Sequence, residues 1–160
     1  MRWDEFAAEA SELAALGIER FERTGVCLIG TLRADGSPRI SPIEPYVVRG
    51  ELLLGMMWQS RKARDLLRDP RIVVHSAVSN KDGSEGDFKL YGRVWDVTDP
   101  AMRTAYGDAT YAKIAWRPDE PFHLFAVDVE QAGFIQFAPE RLAMRWTPAG
   151  GQERIKHPDD

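Results

Sequence analysis

The chain has 160 residues, 44% of them hydrophobic and 29% charged, with a formal net charge of -4 and a pI of about 5.4. This describes one soluble-type domain large enough to bury a core. The acidic balance excludes a broad nucleic-acid surface, and one cysteine, Cys27, excludes an internal disulfide and suits a reducing cytoplasm.

Met1-Arg2-Trp3-Asp4-Glu5 has no apolar segment of the signal-peptide kind, and no run reaches the roughly 20 apolar residues of a membrane span. Trp3, Phe6, Ala7, Ala10, Leu13 and Ala14 recur at helical spacing. They predict one or two helices over residues 3–23, with a break at Gly17, packed over one end of a barrel. Val26 to Leu32 reads as a strand. Asp35-Gly36 centres a hairpin connection over residues 33–38.

The next strand starts at Arg39 and contains Pro42 and Pro45. Because proline cannot donate to a ladder, this strand belongs at an edge, at a bulge or at a bend. Tyr46 to Val48 continues it, Arg49-Gly50 turns, and Glu51 to Trp58 returns.

A short helix follows. Ser60 is its expected N-cap, Ala63, Leu66 and Leu67 form its apolar face, and Asp69-Pro70 stops it. Arg61, Lys62 and Arg64 crowd cations into its start, against the helix dipole. Free N–H groups, a hydroxyl and cations together suit a phosphate. A basic helix turned to water is the competing view of the same residues.

Residues 72–78 and 88–97 read as strands, the second with a bulge at Gly92, around a polar loop at 79–86. Thr98-Asp99-Pro100 opens a helix to about Ala115. Phe122 to Val129, Gly133 to Phe137 and Leu142 to Trp146 complete the strands, and the polar tail from Pro148 is expected to be loose. The fold class is mainly β (α+β), a closed or split antiparallel barrel with peripheral helices, in a single domain over residues 1–160.

This arrangement resembles the pyridoxamine 5′-phosphate oxidase-like, FMN-binding split-barrel superfamily, from about Val26 to Trp146. The resemblance is carried by the Asp-Gly hairpin, Arg39-Ile40-Ser41-Pro42-Ile43, Ser60-Arg61-Lys62-Ala63 with Asp69-Pro70-Arg71, Lys89-Leu90-Tyr91-Gly92-Arg93-Val94 and Phe122-His123-Leu124-Phe125. It implies a six-stranded antiparallel split barrel and a homodimer with a cofactor at the interface. It implies that Ser60, Arg61 and Lys62 hold the flavin phosphate. Arg39, Ile40, Ser41 and Pro42 would line the ribityl chain and ring, with Met56 and Met57 beside them. Lys89 would make a polar contact to the ring, and Trp146 would stack on a flavin.

The chain departs from the true oxidases. They carry a C-terminal arginine and histidine one residue apart, whereas this chain has Arg154-Ile155-Lys156-His157. Met56-Met57-Trp58 also stands where the oxidases have tyrosine and polar residues. The chain looks more like the short actinobacterial-type branch, whose members use FMN, the 5-deazaflavin coenzyme or haem, or have no settled cofactor. The resemblance therefore implies an FMN-dependent oxidoreductase acting on a small organic substrate. The alternatives are a deazaflavin-dependent reductase or a non-enzymatic flavin- or haem-binding dimer.

His75 and His123 read as core or interface histidines, and His157 as a solvated tail residue. Trp58, Trp95, Trp116 and Trp146 read as core or interface residues. Three scattered histidines give no metal-ligand spacing, and no nucleophile elbow is present. No catalytic acid–base pair stands out. The redox chemistry would belong to the cofactor.

Overall fold

The computed structural model describes residues 1–160. Two helices, α1 (Trp3–Glu9) and α2 (Ser11–Thr24), precede the strands β1 (Cys27–Leu32), β2 (Pro38–Ile43), β3 (Pro45–Val48) and β4 (Glu51–Met57). Helix α3 (Arg61–Arg68) leads to β5 (Arg71–Ser76) and β6 (Asp87–Asp96). Helix α4 (Pro100–Ile114) leads to β7 (Phe122–Gln136), β8 (Leu142–Thr147) and β9 (Gly151–Arg154).

All strand pairings are antiparallel. The main ladder runs β2-β1-β5-β6-β7-β4-β3, with β8 and β9 branching from β7. β2 and β3 stand at opposite ends of this ladder, yet only Glu44 separates them in the chain. The sheet must therefore curl until its ends meet. No ladder joins them, so the barrel is split along that seam. Pro42 is tolerated because β2 is a terminal strand, where a missing N–H costs no ladder bond.

The turns follow the local chemistry of their residues. Gly36 takes φ +81 in the β1–β2 hairpin. Arg49 and Gly50 both take positive φ between β3 and β4, the twist that a two-residue hairpin requires. The register between β6 and β7 slips at Tyr91/Gly92, the expected bulge, and Glu130 of β7 is the extra residue. The carbonyl of Asp128 occupies the space a side chain at position 92 would need.

Three expectations about the elements are corrected. The helical break falls at Ala10, while Gly17 lies inside α2. A Cβ there would stand 2.6 Å from the Phe88 ring, so this glycine allows close helix–sheet packing. The two strands expected at 122–129 and 133–137 are one, because the bulge lets β7 continue through its polar middle. The strand count is nine where six were expected.

The tail is also not loose. β9 pairs with β8, and Arg154 binds Glu12 at 2.8 Å. Gln152 accepts from the N–H of Leu13 at 3.0 Å, satisfying a free donor in the first turn of α2. His157 is buried rather than solvated, 4.7 Å from the Phe137 ring centroid, and accepts from the N–H of Asp159.

The main core of 26 buried residues lies between α1–α2 and the inner face of the sheet. Trp3, Phe6, Phe21, Phe88 and Trp146 interlock in it, with Phe6 and Trp146 centroids 5.0 Å apart and Phe21 and Phe88 5.6 Å apart. A smaller cluster fixes α4 through Tyr106, Phe122 and Leu124. Asp99 caps α4 by accepting from Met102 at 3.0 Å, with Pro100 in the first turn as expected. No helix is long and apolar enough to cross a membrane.

Candidate functional site

Helix α3 sits on the seam of the barrel, packed on β1 and β4. Its buried residues are Ala63, Asp65 and Leu66, so Arg61, Lys62 and Arg64 fall outside the core. Ser60 occupies the N-cap position but makes no capping bond, contrary to the expectation from sequence. Its hydroxyl is buried and has no hydrogen-bond partner. Unpaired buried polar atoms are costly, and a ligand commonly completes them. No acidic residue neutralises the first turn of the helix.

The two cations that follow Ser60 leave on different sides. Lys62 donates to the carbonyl of Pro42 at 2.7 Å, joining α3 to the free edge of β2. Burial holds its ammonium below the ordinary lysine range, with Glu44 and Cys27 opposing. Burial also pushes the Cys27 thiol up to about 12, which removes it as a nucleophile.

Lys62 lines a cleft of about 380 Å³ floored by Gly55, Met56 and Tyr106 and walled by Met57, Trp58, Trp116 and Phe122. Glycine at position 55 leaves the space that the Tyr106 hydroxyl occupies. Burial raises the pKa of that phenol, so it stays protonated. The cleft thus has an apolar, aromatic wall with Lys62, Glu44 and Asp119 as its charged groups, a form suited to a planar ligand with polar substituents.

Arg61 faces a second cleft on the other side of α3, together with Arg39. Arg39 donates to Asp65 at 2.6 Å, and Asp65 also accepts from Thr31 at 2.9 Å and Arg68 at 3.2 Å. Desolvation works against the Asp65 carboxylate, but these three donors outweigh it and hold its pKa below the usual range. Sequence reasoning missed Asp65 as this hub. An acidic residue midway along an arginine-rich helix was the available signal. It also missed Glu44, Tyr106 and the aromatic wall of the cleft, which only the folding of α4 and β7 against β4 brings together.

The expected site residues divide accordingly. Arg39, Pro42, Met56, Met57, Ser60, Arg61 and Lys62 gather around the first turn of α3. Ser41 is half-buried on β2, while Ile40 is 74% and Met57 79% exposed. Two residues lie elsewhere. Lys89 is on β6, 2.9 Å from Asp87, in a groove beside Gly133 and Arg145. Trp146 has no exposed surface and packs on Phe6, so within this chain it has no face to stack on a ligand.

Trp58, Trp95 and Trp116 are exposed and lie outside the core of the single chain, which leaves only the interface half of their expected role. Trp58 stacks on His123 at 4.4 Å, and Nε2 of His123 is buried without a partner. His75 is half-buried, with Nδ1 2.7 Å from the carbonyl of Ser76.

Residues 18–136 match the family pattern of pyridoxamine 5′-phosphate oxidase, and the chain belongs to that family. Among solved structures it is similar to a pyridoxamine 5′-phosphate oxidase-related, FMN binding protein of Nostoc punctiforme PCC 73102. The identity is 17% and the TM-score 0.64, over 89% of this chain and 94% of that one. A Clostridium acetobutylicum protein of the pyridoxinephosphate oxidase family, related to general stress protein 26, gives 15% identity and a TM-score of 0.63, over 83% and 92%. A haem binding protein of Mycobacterium smegmatis gives 17% and 0.62 over 81% of this chain, which spans 57% of that longer protein. At these identities the likeness establishes the fold. A search of curated proteins finds no match.

Proposed function

We propose that the protein is an FMN-dependent oxidoreductase that acts on a small organic substrate. The observation that carries this reading is the start of α3, where a buried, unpartnered Ser60 hydroxyl lies beside Arg61 and Lys62. Those groups suit a flavin phosphate: one hydroxyl, two cations and the free N–H groups of a helical turn. Met56, Met57 and the free edge of β2 are the surfaces on which the ring and ribityl chain would lie. When bound, FMN supplies hydride chemistry. This chain contributes binding, orientation and a partly dry cleft.

The active form in this reading is a homodimer. Ile40, Met57 and Trp58 offer exposed apolar surface beside the site, and a second copy would cover it. Lys89 is then assigned to the other side of the interface. The single buried thiol, Cys27, suits a reducing cytoplasm. The same phosphate-binding turn also serves the 5-deazaflavin coenzyme.

A second reading is a non-enzymatic flavin- or haem-binding dimer, favoured by the likeness to the M. smegmatis haem binding protein. Turnover separates the two. The protein loaded with FMN is screened for reduction and reoxidation of its visible bands by small organic substrates. An enzyme cycles with at least one of them. A protein that retains the cofactor through the whole screen without cycling is a carrier, and the oxidoreductase assignment fails.

A further inference from the structure

Three charged side chains line the aromatic cleft, and two of them are carboxylates. Glu44 comes from the junction of β2 and β3, and Asp119 from the segment between α4 and β7. The neighbouring charges of that segment are paired, Glu120 with Arg103 at 2.9 Å and Arg117 with Asp108 at 2.6 Å. Glu44 and Asp119 make no such pair. The one cation of the cleft, Lys62, already donates to the carbonyl of Pro42 at 2.7 Å. The lining therefore carries more negative than positive charge, and low-polarity walls focus that potential.

Two exposed indoles stand in the same cleft, Trp58 and Trp116, each with 53% of its surface open. Trp58 is held flat on His123, with the ring centroids 4.4 Å and the planes 12° apart. The segment bearing Trp116 and Asp119 is anchored by Arg103. This guanidinium binds Glu120 and the carbonyls of Val97 and Phe122, and lies 4.1 Å from the Phe122 ring centroid. These groups stand in place before a ligand arrives, which limits the cost of ordering them. An anion would meet two uncompensated carboxylates here. A neutral ring would use the indoles and leave both carboxylates idle. An organic cation uses both, because an indole face attracts positive charge more strongly than any other aromatic side chain.

We propose that the aromatic cleft selects a small organic cation, an unsaturated ring bearing an amine or a quaternary nitrogen. Glu44 and Asp119 supply the charge preference, and Trp58 and Trp116 supply the aromatic walls. That this ligand is the substrate rests on the flavin reading above. Met56 and Met57 line the same cleft and are the surface assigned to the flavin ring, so a cation held there adjoins the cofactor. The same two carboxylates disfavour a phosphorylated substrate.

The test is calorimetric titration of three flat two-ring probes into the full chain, alone and saturated with FMN. The probes are the cation 1-methylquinolinium, quinoline at a mildly alkaline pH where it is uncharged, and the anion 2-naphthoate. The cation is expected to bind about fivefold or more tightly than quinoline, with 2-naphthoate weakest and the differences shrinking as salt is added. Glu44→Gln and Asp119→Asn, both at exposed positions outside the core, are each expected to remove much of that preference. In Asp119→Asn, FMN affinity should stay within about twofold of wild type, because this residue is not among those assigned to the flavin. The proposal is overturned if 2-naphthoate binds as tightly as the cation, if the cation binds in neither state, if FMN displaces it, or if neither substitution alters the preference. A chain that prefers the cation but retains no FMN supports the cleft assignment and overturns the flavin reading.

Discussion

Replacing Lys62 with alanine separates ligand binding from folding. In the free protein this side chain makes one polar contact, to the carbonyl of Pro42 at 2.7 Å, at a site partly open to water. Burial already disfavours its charge, as the lowered pKa indicates, so its removal relieves as well as costs. The expected loss of stability is at most about 1 kcal/mol. A hydrogen bond from a cation to a phosphate contributes about 1.5–3 kcal/mol, so FMN affinity should fall about 10- to 150-fold. Quenching of FMN fluorescence gives the affinity, and urea unfolding gives the stability. Equal FMN affinity in Lys62→Ala and wild type would refute the phosphate assignment. A stability loss of several kcal/mol with binding unchanged would make Lys62 a structural brace between α3 and β2.

Asp65→Asn should cost about 3 kcal/mol in urea unfolding, because Arg39 and Arg68 lose the charge that anchors them. The Asp65 pKa is lowered in the fold, so its contribution is whole above the unfolded value of about 3.9 and is lost as pH falls through the lower folded value. Wild-type stability should therefore fall more steeply below about pH 4 than that of Asp65→Asn. Gly17→Ala should lower stability by about 1–3 kcal/mol, although alanine is the better helix former, because the buried Phe88 ring stands in the way. A rise in melting temperature would contradict that packing. Trp146→Ala should cost about 3–5 kcal/mol, as expected of a core residue with no exposed surface. A loss of FMN affinity with unchanged stability would return Trp146 to the binding site.

What the sequence made legible follows from the range of the interactions involved. Alternating patterns, the Asp-Gly hairpin, the proline-bearing edge strand and the basic start of α3 are local, and each element they predict is present. The missed features are long-range. Gly17 looks like a helix breaker until Phe88 arrives from β6 to fill its side-chain space. The polar tail becomes β9 because β8 offers a free edge and α2 offers a free N–H to Gln152. Trp58 and Trp116 read from sequence as core or interface residues, and only the folded chain shows that both stand at the rim of the aromatic cleft rather than in the core. At the site, the run Ser60-Arg61-Lys62 was visible from charge and capping rules alone. The failure of Ser60 to cap, and the division of the cations between two clefts, depend on the seam between β2 and β3.

The central claim is that the start of α3 holds the phosphate of a flavin. Equilibrium dialysis of the purified chain against FMN and against riboflavin, which differ by that phosphate alone, tests it most directly. The account predicts one FMN retained per chain with a Kd around micromolar or tighter, equivalent to about -8 kcal/mol, and riboflavin bound at least tenfold more weakly. Equal retention of both flavins, or retention of neither, would contradict it.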